Sequence, residues 1–68
     1  MKKTYIINGV IHLAGISFDV NNFVIRAYSE KQAKLRLAFR VKEKLTKDMT
    51  IGGIYKAINR SRLTVYER

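Results

Sequence analysis

At Ser29 the spacing of the apolar residues changes from two to between three and four, which limits the chain to folds in which paired strands precede a helix. From Thr4 to Leu13, Tyr5, Ile7, Ile11 and Leu13 share one parity with Gly9, while Thr4, Asn8 and His12 share the other. That alternation is the mark of a half-buried strand. Ala14-Gly15 offers a turn, and β-favouring residues resume at Ile16, Phe18 and Val20 and again from Phe23 to Ala27. The pattern predicts a second strand antiparallel to the first, with Asn21-Asn22 as a bulge or a second turn.

Ser29 is placed as a helix N-cap, with Gln32 at the third helical position, a capping-box arrangement that satisfies otherwise orphaned backbone donors. The glycine-free run of helix formers that follows predicts a helix from Glu30 to Lys44 or Leu45. At about 100° per residue, Leu37, Ala38, Val41 and Leu45 fall on one side, with Leu35 and Ala33 at its margins, and this side is expected to pack on the sheet. Gln32, Arg36, Arg40, Glu43 and Lys47 fall opposite, with Glu43 spaced to pair with Lys47. Lys34 and Lys42 lie near the packed side, so their stems must carry the charges out to water.

Beyond Asp48 two local structures fit. Ile51, Ile54, Tyr55 and Ile58 match a helical stripe, but Met49-Thr50-Ile51 and the run from Ile54 to Ile58 also suit a strand. Gly52 and Gly53 would each cost about 1 kcal/mol in a helix interior, less in a first turn capped by Thr50, and would suggest a bulge in a strand. The strand is preferred. Asn59-Arg60-Ser61 then turns the chain, and Leu63-Thr64-Val65-Tyr66 alternates as a candidate short last strand. The expected fold class is therefore α+β, a small antiparallel sheet with one helix packed on one face, in the order ββαβ with that last strand added.

A chain of 68 residues supports one core and one domain, and its 47% apolar content is ordinary for a folded chain. The absence of cysteine removes disulfides, thiolate nucleophiles and cysteine-based metal sites, and fits a reducing, cytoplasmic setting. Met1-Lys2-Lys3 opens as a signal peptide does, but Asn8 and His12 interrupt the apolar stretch that would have to follow, and no run is long enough to cross a bilayer. A membrane partner is not expected.

The inventory for catalysis is thin. His12 has no second histidine nearby and reads as an ordinary strand residue, and Asp19, Glu30, Glu43, Asp48 and Glu67 come from different elements. Gly52-Gly53 has neither phosphate-loop nor dinucleotide spacing around it. The expectation is a protein without catalytic residues, cofactor, metal or small-molecule substrate.

Fourteen Lys and Arg against five Asp and Glu give a net charge of +9. Such a surplus attracts polyanions, nucleic acid first among them. Residues 29–47 hold Lys31, Lys34, Arg36, Arg40, Lys42, Lys44 and Lys47 against only Glu30 and Glu43. The residues expected to bind phosphates are Lys31, Arg36, Arg40, Lys44 and Lys47 on the helix, with Arg60 and Arg62 in the later turn, together forming one continuous footprint. The aromatics Tyr5, Phe18, Phe23, Tyr28, Tyr55 and Tyr66 are expected in the core, whereas Phe39 flanks the polar side of the helix. The clustered aromatic strand motif of an RRM is missing.

Three stretches, Tyr5-Ile6-Ile7-Asn8-Gly9, Phe23-Val24-Ile25-Arg26-Ala27-Tyr28-Ser29-Glu30-Lys31-Gln32-Ala33 and, more weakly, Met49-Thr50-Ile51-Gly52-Gly53-Ile54, give the chain a wording that resembles the archaeal large-subunit ribosomal protein LX family. The third stretch looks like that family's last strand. The resemblance implies a small sheet with one helix that binds ribosomal RNA and neighbouring ribosomal proteins as a structural component. The family's Gly-Ser-Lys/Arg turn after the helix is replaced by Lys44-Leu45-Thr46-Lys47, and the chain from Asn59 on has no counterpart, so no binding residue carries over.

The leading expectation is a structural, ribosomal RNA-associated protein that docks through phosphate contacts and favours RNA over DNA. The alternative is a small viral or mobile-element regulator that binds DNA or a nucleic-acid-handling protein. It needs a helix from Ile51 to Ile58 displaying Lys56, Asn59 and Arg60 to a major groove. One helix favours the RNA module and two favour the regulator. A pure protein-interaction module would be indicated if Arg36 and Arg40 could be reversed to Glu without loss of any partner.

Overall fold

The structure, a computed structural model, describes residues 1–13, 15–45 and 49–68. Its elements run β1 (Lys3–Leu13), β2 (Ile16–Ala27), α1 (Glu30–Lys44), α2 (Ile51–Arg60) and β3 (Leu63–Glu67). The three strands form an antiparallel sheet in the order β2-β1-β3, so the class is α+β as expected, with two helices rather than one.

The strand parity carries directly into packing. Tyr5, Ile7, Ile11 and Leu13 of β1 are buried with Val20 and Ala27 of β2 under Ala33, Leu37, Ala38 and Val41 of α1 and Ile54 and Ile58 of α2. Ile7, Ile11, Ile54 and Ile58 are essentially removed from water, and each contributes roughly 1.5–3 kcal/mol on burial. Both helices lie on this face, α1 against β2 and α2 against β1.

β1 and β2 pair from Lys3 opposite Ala27 to Leu13 opposite Ile16, with one irregularity between Ile7 and Gly9. There Asn21 and Asn22 stand against the single residue Asn8. Asn22 takes a left-handed φ of +48°, which asparagine tolerates better than most residues, and its N–H donates to Asn8 Oδ1 at 2.7 Å. The asparagine pair is thus a bulge within one strand, not a turn.

The cap at Ser29 forms as expected, its Oγ accepting from Gln32 N–H at 3.1 Å. The return bond goes one residue further back than a capping box predicts, from Tyr28 N–H to Gln32 Oε1 at 2.7 Å. Leu35 is exposed at the margin assigned to it, and Lys34 reaches water beside Glu30 at 3.7 Å. Lys42 Nζ donates to the Met49 carbonyl at 2.8 Å, tying α1 to the residues that lead into α2. The expected pairing of Glu43 with Lys47 involves a residue outside those described.

The strand expected from Met49 to Ile58 is corrected, because Ile51–Arg60 is helical. Two local terms decide it. Thr50 is the N-cap, its Oγ1 accepting from Gly53 N–H at 3.1 Å, so both glycines fall in the first turn, where their cost is least. A strand would also put Lys56 on the same face as Ile54 and Ile58, whereas a helix buries the two isoleucines and leaves Lys56 exposed. The stretch that looked like a last ribosomal-protein strand, Met49 to Ile54, is therefore the N-cap and first turn of a helix. The last strand is Leu63–Glu67, antiparallel to β1 from Gly9 opposite Leu63 to Tyr5 opposite Glu67.

Candidate nucleic-acid interface

The phosphate-binding residues expected from sequence fall into separate groups. Arg36, Arg40 and Lys44 recur every fourth residue and make one row about 12 Å long on a flank of α1. All three are exposed, and Arg40 and Lys44 border an open cleft of about 560 Å³ between α1 and the bulged part of β2, with Asn21, Asn22, Phe18 and Phe23 among its other walls. Lys31 is also exposed but is turned by the helical pitch to the other flank, where Lys42 meets Met49. Lys47 lies outside the described residues.

Arg60 ends α2. Ser61 caps this end, its Oγ donating to the Ala57 carbonyl at 2.7 Å while accepting from His12 N–H at 3.2 Å, so the C-terminus of α2 is fastened to the end of β1. Arg60 borders a shallow hollow with His12, Leu13, Met49, Gly53 and Ala57. Arg62 is exposed just before β3. Lys56, Asn59 and Arg60 are exposed together on the outer side of α2, the display that the DNA alternative requires.

Little of this charge is neutralised. Among the described residues the ion pairs are Lys3 with Glu67 at 3.4 Å and Lys34 with Glu30 at 3.7 Å. Arg36, Arg40, Lys44, Lys56, Arg60 and Arg62 meet no carboxylate within ion-pair distance among those residues. His12 shares a hydrogen bond with Ser17 Oγ at 3.3 Å, and no group of three or more His, Asp or Glu side chains stands together as a metal site among the described residues.

The aromatic residues divide differently from expectation. Tyr5 is buried, and Phe18, Phe23 and Tyr55 are partly buried against the core. Phe39 is 53% exposed, as its helical position implied, but Tyr28 and Tyr66, expected inside, are 58% and 47% exposed. The parity signal for Tyr66 was present, since Leu63 and Val65 alternate against it, but only its register beside Ile6 shows that its face is the uncovered one.

No family model, curated protein or solved structure matches the chain. No helix among the described residues is long and apolar enough to cross a membrane.

Proposed function

We propose that this protein is a structural RNA-binding module that docks by phosphate contacts, its cations reaching RNA on more than one side. The observation that carries this reading is the distribution of unneutralised charge. The row Arg36, Arg40 and Lys44 lies on the helical layer, while Arg26 and Arg68 belong to the parity of the sheet that faces away from both helices. The row lies in the helical layer and Arg26 and Arg68 on the far face of the sheet, so the two sets address different sides of a molecule that measures 34 × 19 × 18 Å. They act as distinct sites, and a folded RNA that surrounds a small protein can engage both. A cytoplasmic setting fits the cysteine-free composition.

A second reading is favoured by one observation. The helix count is two, and α2 displays Lys56, Asn59 and Arg60, as a DNA-binding regulator of viral or mobile-element type would require. Against it, the sequence leading into α2 does not show a good helix-turn-helix pattern.

The test compares binding to a structured RNA hairpin and to a DNA duplex for two multiple variants. Replacing Arg36, Arg40 and Lys44 with Gln is expected to weaken RNA binding and to lower the salt slope by about 1 for each phosphate that is no longer neutralised. If instead the DNA duplex is preferred, and Lys56→Gln with Arg60→Gln alone removes that binding, the DNA reading replaces this one.

A further inference from the structure

The face of the sheet turned away from the helices has a composition of its own. On β1 it carries Thr4, Ile6 and Asn8. The register sets Arg26 opposite Thr4, Val24 and Tyr66 on either side of Ile6, and Thr64 beside Asn8. Arg68 N–H donates to the Thr4 carbonyl at 2.8 Å, so the ladder continues past β3 and places Arg68 on the same parity as Tyr66. At the same end the Lys2 ammonium stands 5.7 Å from the centre of the Tyr28 ring.

The result is an exposed surface with a tyrosine toward each outer strand and Lys2, Arg26 and Arg68 around them. Its chemistry is one-sided. Lys3 and Glu67, which neutralise each other at 3.4 Å, belong to the opposite parity, and among the described residues the one carboxylate on this face, Asp19, stands beyond the bulge opposite Val10.

We infer that this open sheet face binds unpaired RNA, with the Tyr66 ring stacking on a base and Arg26 and Arg68, which flank Thr4 in the row between Tyr66 and Tyr28, holding phosphates of the same strand. The inference rests on the nucleic-acid reading above and assigns a particular form of RNA to a particular face. An exposed ring on a sheet can stack only on a base whose face is free, and a paired A-form helix offers none. Tyr28 lies two ladder rows from Tyr66 and on the other edge, roughly 16 Å away by strand geometry. That distance exceeds the rise of about 3.4 Å between stacked bases, so the bound strand is splayed, with further nucleotides between the two rings. A second copy of the chain is a poor occupant, because a two-fold contact here would set Lys2, Arg26 and Arg68 against themselves.

The experiment measures fluorescence anisotropy of a labelled oligouridine of about ten nucleotides and of an RNA duplex of similar length, with wild type, Tyr66→Ala, Tyr66→Phe and Arg26→Gln. Tyr66→Ala is expected to weaken oligouridine binding about tenfold and duplex binding by less than about twofold, while Tyr66→Phe keeps the wild-type affinity. Arg26→Gln is expected to weaken oligouridine binding and flatten its salt dependence. Tyr66 is 47% exposed, so alanine opens no core, and thermal unfolding of each variant verifies this.

The inference is overturned, with the reading above intact, if the protein binds duplex but not oligouridine, or if Tyr66→Ala affects the two equally or not at all. It is also overturned if Tyr66→Ala changes the sedimenting mass of the protein alone, which would make this face a self-association surface. Absence of binding to either RNA at low salt overturns the reading above as well.

Discussion

Gly9 sits where β1 and the start of β3 approach closely. Its φ is +140°, and a Cβ there would come within 2.6 Å of the Arg62 carbonyl oxygen and 2.8 Å of Leu63 Cδ2. Backbone conformation and contact both oppose a side chain, so Gly9→Ala is expected to destabilise the fold by about 2 kcal/mol or more, measured as a lower urea midpoint at unchanged slope. A variant as stable as wild type would mean that β3 does not approach β1 this closely. The alternation of β1 identified Gly9 as an apolar-parity position, but its role depends on β3, which joins from the far end of the chain. The same limit applies to Tyr66. Its place in an alternating run was legible, whereas the face it occupies depends on which side of the sheet the helices cover. Local hydrogen bonding was readable because its partners are near in sequence, as at Ser29 and Gln32.

At the scale of elements, β1, β2 and α1 could be read because each carries a long, clean period. The ten residues of α2 do not, since the short apolar run fits either period and paired glycines count against both. The deciding terms were the Thr50 cap and the position of Lys56. These give a prediction that separates helix from strand at one site. Ile58→Ala, which empties a buried position, is expected to cost about 2–5 kcal/mol, while Lys56→Ala costs less than about 0.5 kcal/mol. A strand would align these two side chains on one face, so comparable losses at both in chemical denaturation would contradict the helix. From the sequence Arg36 and Arg40 fall on one side of α1 with Lys47 as the third basic residue; Lys47 lies outside the described residues, and the row runs instead from Arg36 and Arg40 to Lys44, whose four-residue spacing on an established helix fixes the flank. Assigning Lys31 to the same footprint went beyond that spacing, and the helical pitch takes it to the other flank.

At the scale of the whole molecule, the sequence determines the sum of charges but not their division among faces. One continuous basic surface was expected. The fold instead parts the expected set, with Arg36, Arg40 and Lys44 on one flank of α1, Lys31 on the other and Arg60 and Arg62 near the α2–β3 junction, and it carries a further set, Arg26 and Arg68, on the open sheet face. On the RNA reading proposed above, this separation suits a partner that surrounds the protein, and binding would be strongly electrostatic. Each phosphate neutralised releases condensed counterions, so affinity should fall linearly with salt on logarithmic axes.

The most direct test is the affinity for a structured RNA measured at salt concentrations from about 50 to 200 mM. The account predicts a loss of at least about a hundredfold over that range, corresponding to roughly four or more neutralised phosphates. An affinity that changes by less than about threefold would contradict it, since the attraction of cations to phosphates could not then be what holds the complex together.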